Sequence, residues 1–278
     1  MKRQDIQIRD PFVFVENGTY YLIGTTGADP WGRGSDLALY ASYDLEEFEK
    51  KGVMVTDGSL DSYKNIWAPE LHKYRGKYYL IVSAVRKDVG RGSFIFVSDR
   101  VDGDYKMLTG RYVTPAGWGC LDATLFVYKD KPYLYFANEW MTPITNDGDG
   151  SLYVAALSED LTEIIGEPKK IISGKNSGIA IEVQDKTGTI KGYVAEGPYL
   201  YEEDGKIVLL WSAVGKNGYT VVKSVSQNGV FGEYEFDRIV FEEDGGHCMC
   251  FTDLKGVRRL TLHQPNGTPN ERMKLFSL

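Results

Sequence analysis

Cysteine is scarce. There are 3 in 278 residues, an odd number that cannot close a complete disulfide framework. Cys248 and Cys250 stand two apart beside His247, but no second Cys pair completes a zinc set. Packed, reduced thiols are therefore expected. Long apolar runs are missing: nothing approaches the roughly 18 residues of a membrane-spanning helix, so no membrane partner is expected. A basic excess is missing too. Lys and Arg total 32 against 39 Asp and Glu, a net charge of −7. A broad phosphate-binding surface is excluded, and with it a nucleic-acid partner. Residues 1–10 are polar and charged, unlike a secretory leader. The expectation is a cytoplasmic protein, or an exported one whose leader has been removed. Helical stripes are also absent; only 44–51 reads as a helical turn or a polar loop.

What the chain has is 19 Tyr, 12 Phe, 5 Trp and 31 Gly, a composition of strands and tight turns. Period-two stretches at 20–24, 78–83, 133–137 and 207–211 are bounded by turn residues. The turns recur: Glu16-Asn17-Gly18, Tyr74-Arg75-Gly76, Lys129-Asp130-Lys131, Glu203-Asp204-Gly205 and Leu254-Lys255-Gly256. Their last residues lie 58, 55, 74 and 51 apart. A third strand follows in several units, at 39–44, 95–99 and 152–160. Three or four strands in about 50 to 60 residues make one propeller blade. Length alone suggests two domains. The repeat instead predicts an all-β, five-bladed β-propeller forming a single domain over residues 1–278. The longest interval carries an insertion near 167–191, read as an inter-blade loop or extra hairpin.

Eight or nine residues before the end of each turn stand Asp10, Trp67, Asp122, Glu196 and His247. Inner strands of a propeller run side by side around its axis, so these positions converge at one mouth of the channel. An acidic residue at a strand start is ordinarily a solvated end. Three at equivalent positions repel one another, which is costly unless they do chemistry or bind a cation. Two carboxyls flanking a sugar, one protonated and one ionised, are the equipment of glycosidic hydrolysis. A third beside the acid raises its pKa. Aromatic faces stack on sugar rings, and Trp31, Trp67, Trp118 and Trp140 are the candidate platforms. Glu139, next to Trp140, reads equally as a pocket residue or loop packing. Glu70 reads as structural, capping or pairing with a neighbouring blade. Asn146-Asp147-Gly148-Asp149-Gly150 lacks the distal Glu of a calcium loop and reads as a hairpin turn.

Six segments carry a family resemblance: Ile8-Arg9-Asp10-Pro11-Phe12, Trp67-Ala68-Pro69-Glu70, Leu121-Asp122-Ala123-Thr124-Leu125-Phe126, Ala195-Glu196-Gly197-Pro198-Tyr199, Gly245-Gly246-His247 and Leu262-His263-Gln264-Pro265-Asn266. In this order and spacing they resemble glycoside hydrolase family 43, whose fold is a five-bladed β-propeller. The resemblance implies that Asp10 is the general base, Glu196 the general acid, and Asp122 the carboxylate that orients the acid and raises its pKa. It implies inversion of configuration, with base and acid roughly 6.5–9.5 Å apart. The implied substrates are plant-wall pentose polymers or their oligosaccharides. α-L-Arabinofuranosidase activity is expected first, with β-xylosidase or endo-arabinanase activity as alternatives. The absence of a β-sandwich after the propeller weighs against the xylosidase. No cofactor is needed for the chemistry. His247 matches a histidine that in many members helps hold a structural calcium ion or water cluster in the channel. Cys248 and Cys250 depart from the family pattern there. A silent carbohydrate-binding propeller is the rival, and the three carboxylates count against it. Phosphorolysis would need a cluster of cations, and Arg258 and Arg259 alternate to opposite faces.

Overall fold

The structure is a computed structural model that describes residues 1–27, 29–141 and 147–278. Its strands form five antiparallel sheets in chain order. The first holds β1 (Arg9–Glu16), β2 (Thr19–Thr25), β3 (Ala38–Ser42) and β4 (Glu49–Val53). The second holds β5 (Lys64–Tyr74), β6 (Lys77–Arg86), β7 (Gly90–Ser98) and β8 (Lys106–Met107). β9 (Cys120–Tyr128), β10 (Lys131–Asn138), β11 (Ser151–Leu157) and β12 (Ile164–Ser173) make the third. After a small hairpin, β13 (Val183–Gln184) with β14 (Lys191–Gly192), the fourth sheet holds β15 (Glu196–Glu203), β16 (Lys206–Gly215), β17 (Gly218–Ser226) and β18 (Glu235–Phe241). The fifth has three strands, β19 (Gly246–Thr252), β20 (Arg258–Gln264) and β21 (Arg272–Ser277).

This is the five-bladed propeller that the repeat predicts. The inserted stretch divides in two. Residues 167–173 belong to β12, the outer strand of blade 3, and only the remainder makes an extra hairpin. Residues 44–51 are bends leading into β4 rather than a helical turn. Four of the five inner hairpins turn through two residues of positive φ: Asn17-Gly18, Arg75-Gly76, Lys129-Asp130 and Asp204-Gly205. Such turns match the right-handed twist of paired strands. Apolar faces of adjacent blades pack together: Leu22, Leu80 and Phe96 share one cluster, and Tyr135, Leu209 and Trp211 another. Outer strands such as β4 are exposed along their length. The N-terminal residues run along β21, where Gln7 bridges Arg272 and the Ile8 N–H donates to the Glu271 carbonyl. They thereby tie the last blade to the first.

One local device recurs in every blade. Each inner strand opens with a bulge, and the first bulge residue has positive φ: Asp10 (52°), Ala68 (45°), Asp122 (52°), Gly197 (59°) and His247 (50°). The bulge detaches that residue's N–H from its own ladder. Across the neighbouring strand, opposite the residue before the bulge, stand Thr25, Ser83, Ala137, Ser212 and His263. These slot residues take the freed N–H groups of the next blade. The N–H of Ala68 donates to Thr25, that of Asp122 to Ser83 and that of His247 to Ser212, each at 2.8 Å. The N–H of Asp10 donates to His263 Nδ1 at 3.1 Å and closes the ring. Ala137 has no acceptor to offer.

The bulges correct the alignment of the converging set. Ala68 and Gly197, not Trp67 and Glu196, are equivalent to Asp10, Asp122 and His247. Trp67 and Glu196 stand one residue earlier, in register with Arg9, Leu121 and Gly246. A one-residue step reverses the face to which a strand side chain points. Replacing Ser83 by Ala should strand the buried Asp122 N–H and lower unfolding free energy by about 1–3 kcal/mol, measured by urea denaturation. A loss within the about 0.5 kcal/mol of a neutral surface change would show that the bond does not hold the seam.

Candidate active site

Asp10, Asp122, Glu196 and His247 meet at the floor of one cleft of about 590 Å³. Arg9, Trp31, Trp67, Glu139, Trp140 and Tyr219 also line it. The left-handed bulge aims Asp10 and Asp122 inward, and short polar side chains tolerate that backbone better than most. Glu196 comes from the position just before the bulge on blade 4.

The two aspartates occupy the same backbone site but have different partners. Asp10 Oδ2 accepts the Thr25 hydroxyl at 2.6 Å, while Oδ1 lies 3.2 Å from His247 Nδ1. Burial disfavours its ionised form, but the neighbouring His247 and His263, then Arg9 and the Thr25 hydroxyl, outweigh that and hold Asp10 below the ordinary carboxylate range. Asp122 Oδ2 accepts the Gly197 N–H at 3.1 Å and lies 3.8 Å from His247 Nδ1. Burial, reinforced by the negative charges of Glu196 and Asp10, pushes Asp122 well up. Burial also raises Glu196, against the Tyr219 hydroxyl that donates to its Oε1 at 2.8 Å. The cleft therefore holds one carboxylate kept on the ionised side, Asp10, beside two, Asp122 and Glu196, whose protonated forms are favoured, with Asp122 pushed up to about 8.

The two buried histidines take opposite states. Burial lowers the pKa of His247, but Asp10, Asp122 and Glu196 around it win and raise it. His263 accepts the Asp10 N–H at Nδ1, which requires a neutral ring whose Nε2–H can donate to Asn266 Oδ1 at 3.1 Å. Burial, with Arg9 nearby, lowers His263 to about 3. Arg9 is fixed by Glu271 at 2.9 Å and Asn266 at 2.7 Å. The closing Leu262-His263-Gln264-Pro265-Asn266 segment is thus the seam where the last blade grips the first.

Three of the four tryptophans suggested by the sequence line the cleft. Trp31 is about half exposed, with its ring edge-to-face on Trp67 at 5.5 Å. Arg91 lies over the Trp67 ring at 4.1 Å and pairs with Glu139 at 3.0 Å. Trp140 stands where Gly192 leaves room for it. Trp118 is the correction. Its ring packs on Tyr153 at 5.1 Å within blade 3, and its carbonyl accepts the Asn138 amide, so it does not line the cleft. Glu70 is buried but pairs with His72 on its own strand at 2.8 Å, not with a neighbouring blade. Asp149 knots its loop by accepting the Ser151 and Ser173 hydroxyls and the Lys175 N–H; Asn146 lies outside the described residues.

Tyr219 was not singled out in the sequence. It is one of 19 tyrosines, and the only local signal is Gly246, where a Cβ would stand 2.5 Å from its ring. The β13–β14 hairpin was seen as an insertion, but not its reach. Gln184, Asp185 and Lys186 line the cleft, and the Lys186 ammonium lies 5.2 Å from the Trp31 ring centroid.

Calcium would need six to eight oxygens. His247 turns Nδ1 toward two carboxylates that it already neutralises, and the axial cavity is walled by Phe12, Leu71, Tyr199, Met249 and Cys250. Among the described residues no set of three or more His, Cys, Asp or Glu side chains is arranged to hold an ion. These side chains do not form a direct calcium set around His247. Cys120, Cys248 and Cys250 are buried free thiols.

With this geometry in hand, comparison is informative. The model of Glycosyl hydrolases family 43 matches residues 5–267. The chain belongs to this family. The crystal structure of an endo-arabinase from Bacteroides thetaiotaomicron superposes with a TM-score of 0.89 at 30% identity, covering 100% of this chain and 96% of that one. An extracellular endo-α-(1→5)-L-arabinanase 2 of Bacillus subtilis is 23% identical over 84% of this chain and 51% of its own length. An α-L-arabinofuranosidase 43 of Humicola insolens is 28% identical over 53% of this chain and 29% of its own length. The family 43 chain thus spans about half or less of the curated relatives it matches.

The two histidines give a direct check. In nitrogen-15 NMR, His247 should stay protonated above the ordinary histidine pKa of about 6.5. His263 should remain the neutral Nε2–H tautomer down to the acid limit of the fold. A protonated His263 at pH 5 would contradict the network.

Proposed function

We propose that the protein is an inverting glycoside hydrolase that releases pentose from plant cell-wall polysaccharides or their oligosaccharides, with α-L-arabinofuranosides as its substrates. The observation that carries this is the opposed environment of two carboxyls on one cleft floor: Asp10 is held below the ordinary carboxylate range and Glu196 is raised above it. In this reading Asp10 takes a proton from water, and the resulting nucleophile attacks the anomeric carbon. Glu196 gives its proton to the departing glycosidic oxygen from the opposite face. Asp122 sits beside Glu196 and favours its protonated form by like-charge repulsion whenever Asp122 is ionised. Trp31, Trp67 and Trp140 offer faces and edges for the C–H surfaces of the sugar. The names of the similar proteins support arabinose-containing substrates, and the Bacillus relative supports an exported setting. A second reading, endo-acting arabinanase, is favoured by the Bacteroides likeness, which runs along nearly the whole of both chains.

Two measurements test the proposal. Glu196→Ala should lose about a thousandfold or more in kcat on arabino-oligosaccharides yet retain turnover of an aryl arabinofuranoside with an activated leaving group. Asp10→Ala should lose both. Equal loss on both substrates in Glu196→Ala would remove Glu196 as the acid. Proton NMR of the first product should show the inverted anomer, and initial release of the retained anomer would refute the mechanism.

A further inference from the structure

Asp10 and Asp122 are set by equivalent backbone, each first in its bulge at φ 52°. Each has its slot residue beside it, and beyond the slot lies the N–H of the next blade. In blade 1 the slot residue is Thr25, whose hydroxyl accepts the Ala68 N–H at 2.8 Å and donates to Asp10 Oδ2 at 2.6 Å. In blade 3 the slot residue is Ala137, which has nothing to accept or donate. The Gly197 N–H passes over it to Asp122 Oδ2 at 3.1 Å. Both carboxyls are buried, so a hydroxyl donor given to one and withheld from the other is a large asymmetry. A hydrogen bond from a neutral group to a buried carboxylate is worth more than one between neutral groups.

We propose that the slot residue, Thr25 beside Asp10 and Ala137 beside Asp122, is the positioning element that divides the labour of the two aspartates. The Thr25 hydroxyl fixes Asp10 in its ionised form, and the missing hydroxyl at 137 leaves Asp122 to serve as the acceptor for blade 4. The catalytic meaning rests on the reading of Asp10 as the base. The division of ionisation does not.

The other groups facing these carboxyls are accounted for. Asp10 is met by His247 from β19, by the neutral His263 from β20, by Arg9 on its own strand, and by Asp122, Glu196 and Tyr219 from blades 3 and 4. Asp122 is met by His247, Glu196, Asp10 and Tyr219. His247 Nδ1 lies closer to Asp10, at 3.2 Å, than to Asp122, at 3.8 Å, so His247 and Arg9 both add to the Thr25 effect at Asp10. Removing the hydroxyl should therefore narrow the difference without abolishing it.

The experiment follows carbon-13 carboxyl shifts of labelled aspartate in the full chain through pH. Asp10→Asn and Asp122→Asn supply the assignments. In the native protein Asp10 should ionise at lower pH than Asp122. Thr25→Val should raise the Asp10 midpoint by about one pH unit, and Thr25→Ser should restore it. Ala137→Ser should lower the Asp122 midpoint by about one pH unit, by supplying the bridge that Thr25 supplies in blade 1. If Thr25→Val does not fold, Ala137→Ser decides. Midpoints of both aspartates unmoved in the folded variants overturn the proposal. The acid limb of kcat/KM on an aryl arabinofuranoside should follow the Asp10 midpoint upward in Thr25→Val. A shifted midpoint with an unmoved limb supports the slot and instead refutes Asp10 as the base.

Discussion

At the start of each inner strand the backbone turns left-handed for one residue, and the N–H this frees must find a partner in a region closed to water. An unpaired buried N–H costs about 1–3 kcal/mol, so five unpaired ones would rival the whole stability of a domain. The chain meets the demand sideways, by bonding each blade to the one before it. Thr25, Ser83, Ser212 and His263 take four of the bonds, and a carboxylate takes the fifth. The same bulge that creates the demand also turns its side chain toward the axis. The seam between blades and the floor of the cleft are therefore one construction. Polar groups gather there because the backbone needs partners, and reactive groups can be placed among them with their geometry already fixed.

Charge explains why the gathering is stable. Asp10, Asp122 and Glu196 cannot all be ionised side by side in a buried place. The structure answers with His247 at the centre, raised by the carboxylates around it, with Arg9 behind Asp10, and with an environment at Asp122 and Glu196 that favours their protonated forms. Arg9 is in turn held by Glu271 and Asn266 from beyond the last inner strand. The contact that joins blade 5 to blade 1 thus also sets the potential at Asp10. His263 belongs to the same seam: as a neutral acceptor it takes the Asp10 N–H without competing with His247 for the carboxylate.

Much of this was legible in the sequence, and the misses have physical causes. Turn residues with positive φ are chemically distinctive, so the five hairpins and the blade count could be read directly. Distance from those turns located the converging set, but counting eight or nine residues hid a one-residue offset. Measured from the last positive-φ turn residue, the bulge residue lies eight positions back in the first four blades: Asp10 from Gly18, Ala68 from Gly76, Asp122 from Asp130 and Gly197 from Gly205. Neither Ala68 nor Gly197 draws attention as a site residue, so the eye moved to Trp67 and Glu196 beside them. Trp118 misled for another reason. An indole is equally at home in a sugar pocket and between strands, and this one packs on Tyr153 of its own blade. Tyr219 was invisible because its partner, Glu196, comes from a strand 23 residues away in sequence.

Variation in a repeated scaffold carries information only where the repeat constrains it. The five bulge residues are of four types, yet all keep φ between 45° and 59°, so their differences are free for chemistry. The five slot positions must offer an acceptor, and Ala137 alone does not. That single exception is harmless to the fold because Asp122 already stands within reach of the orphaned N–H. A lone alanine elsewhere in the ring, at 83 for instance, would find no carboxylate on its own blade's bulge, since Ala68 occupies that place. Asp122 and Ala137 are therefore interdependent. The acidic residue permits the alanine, and the alanine leaves the acidic residue committed to blade 4, beside Glu196.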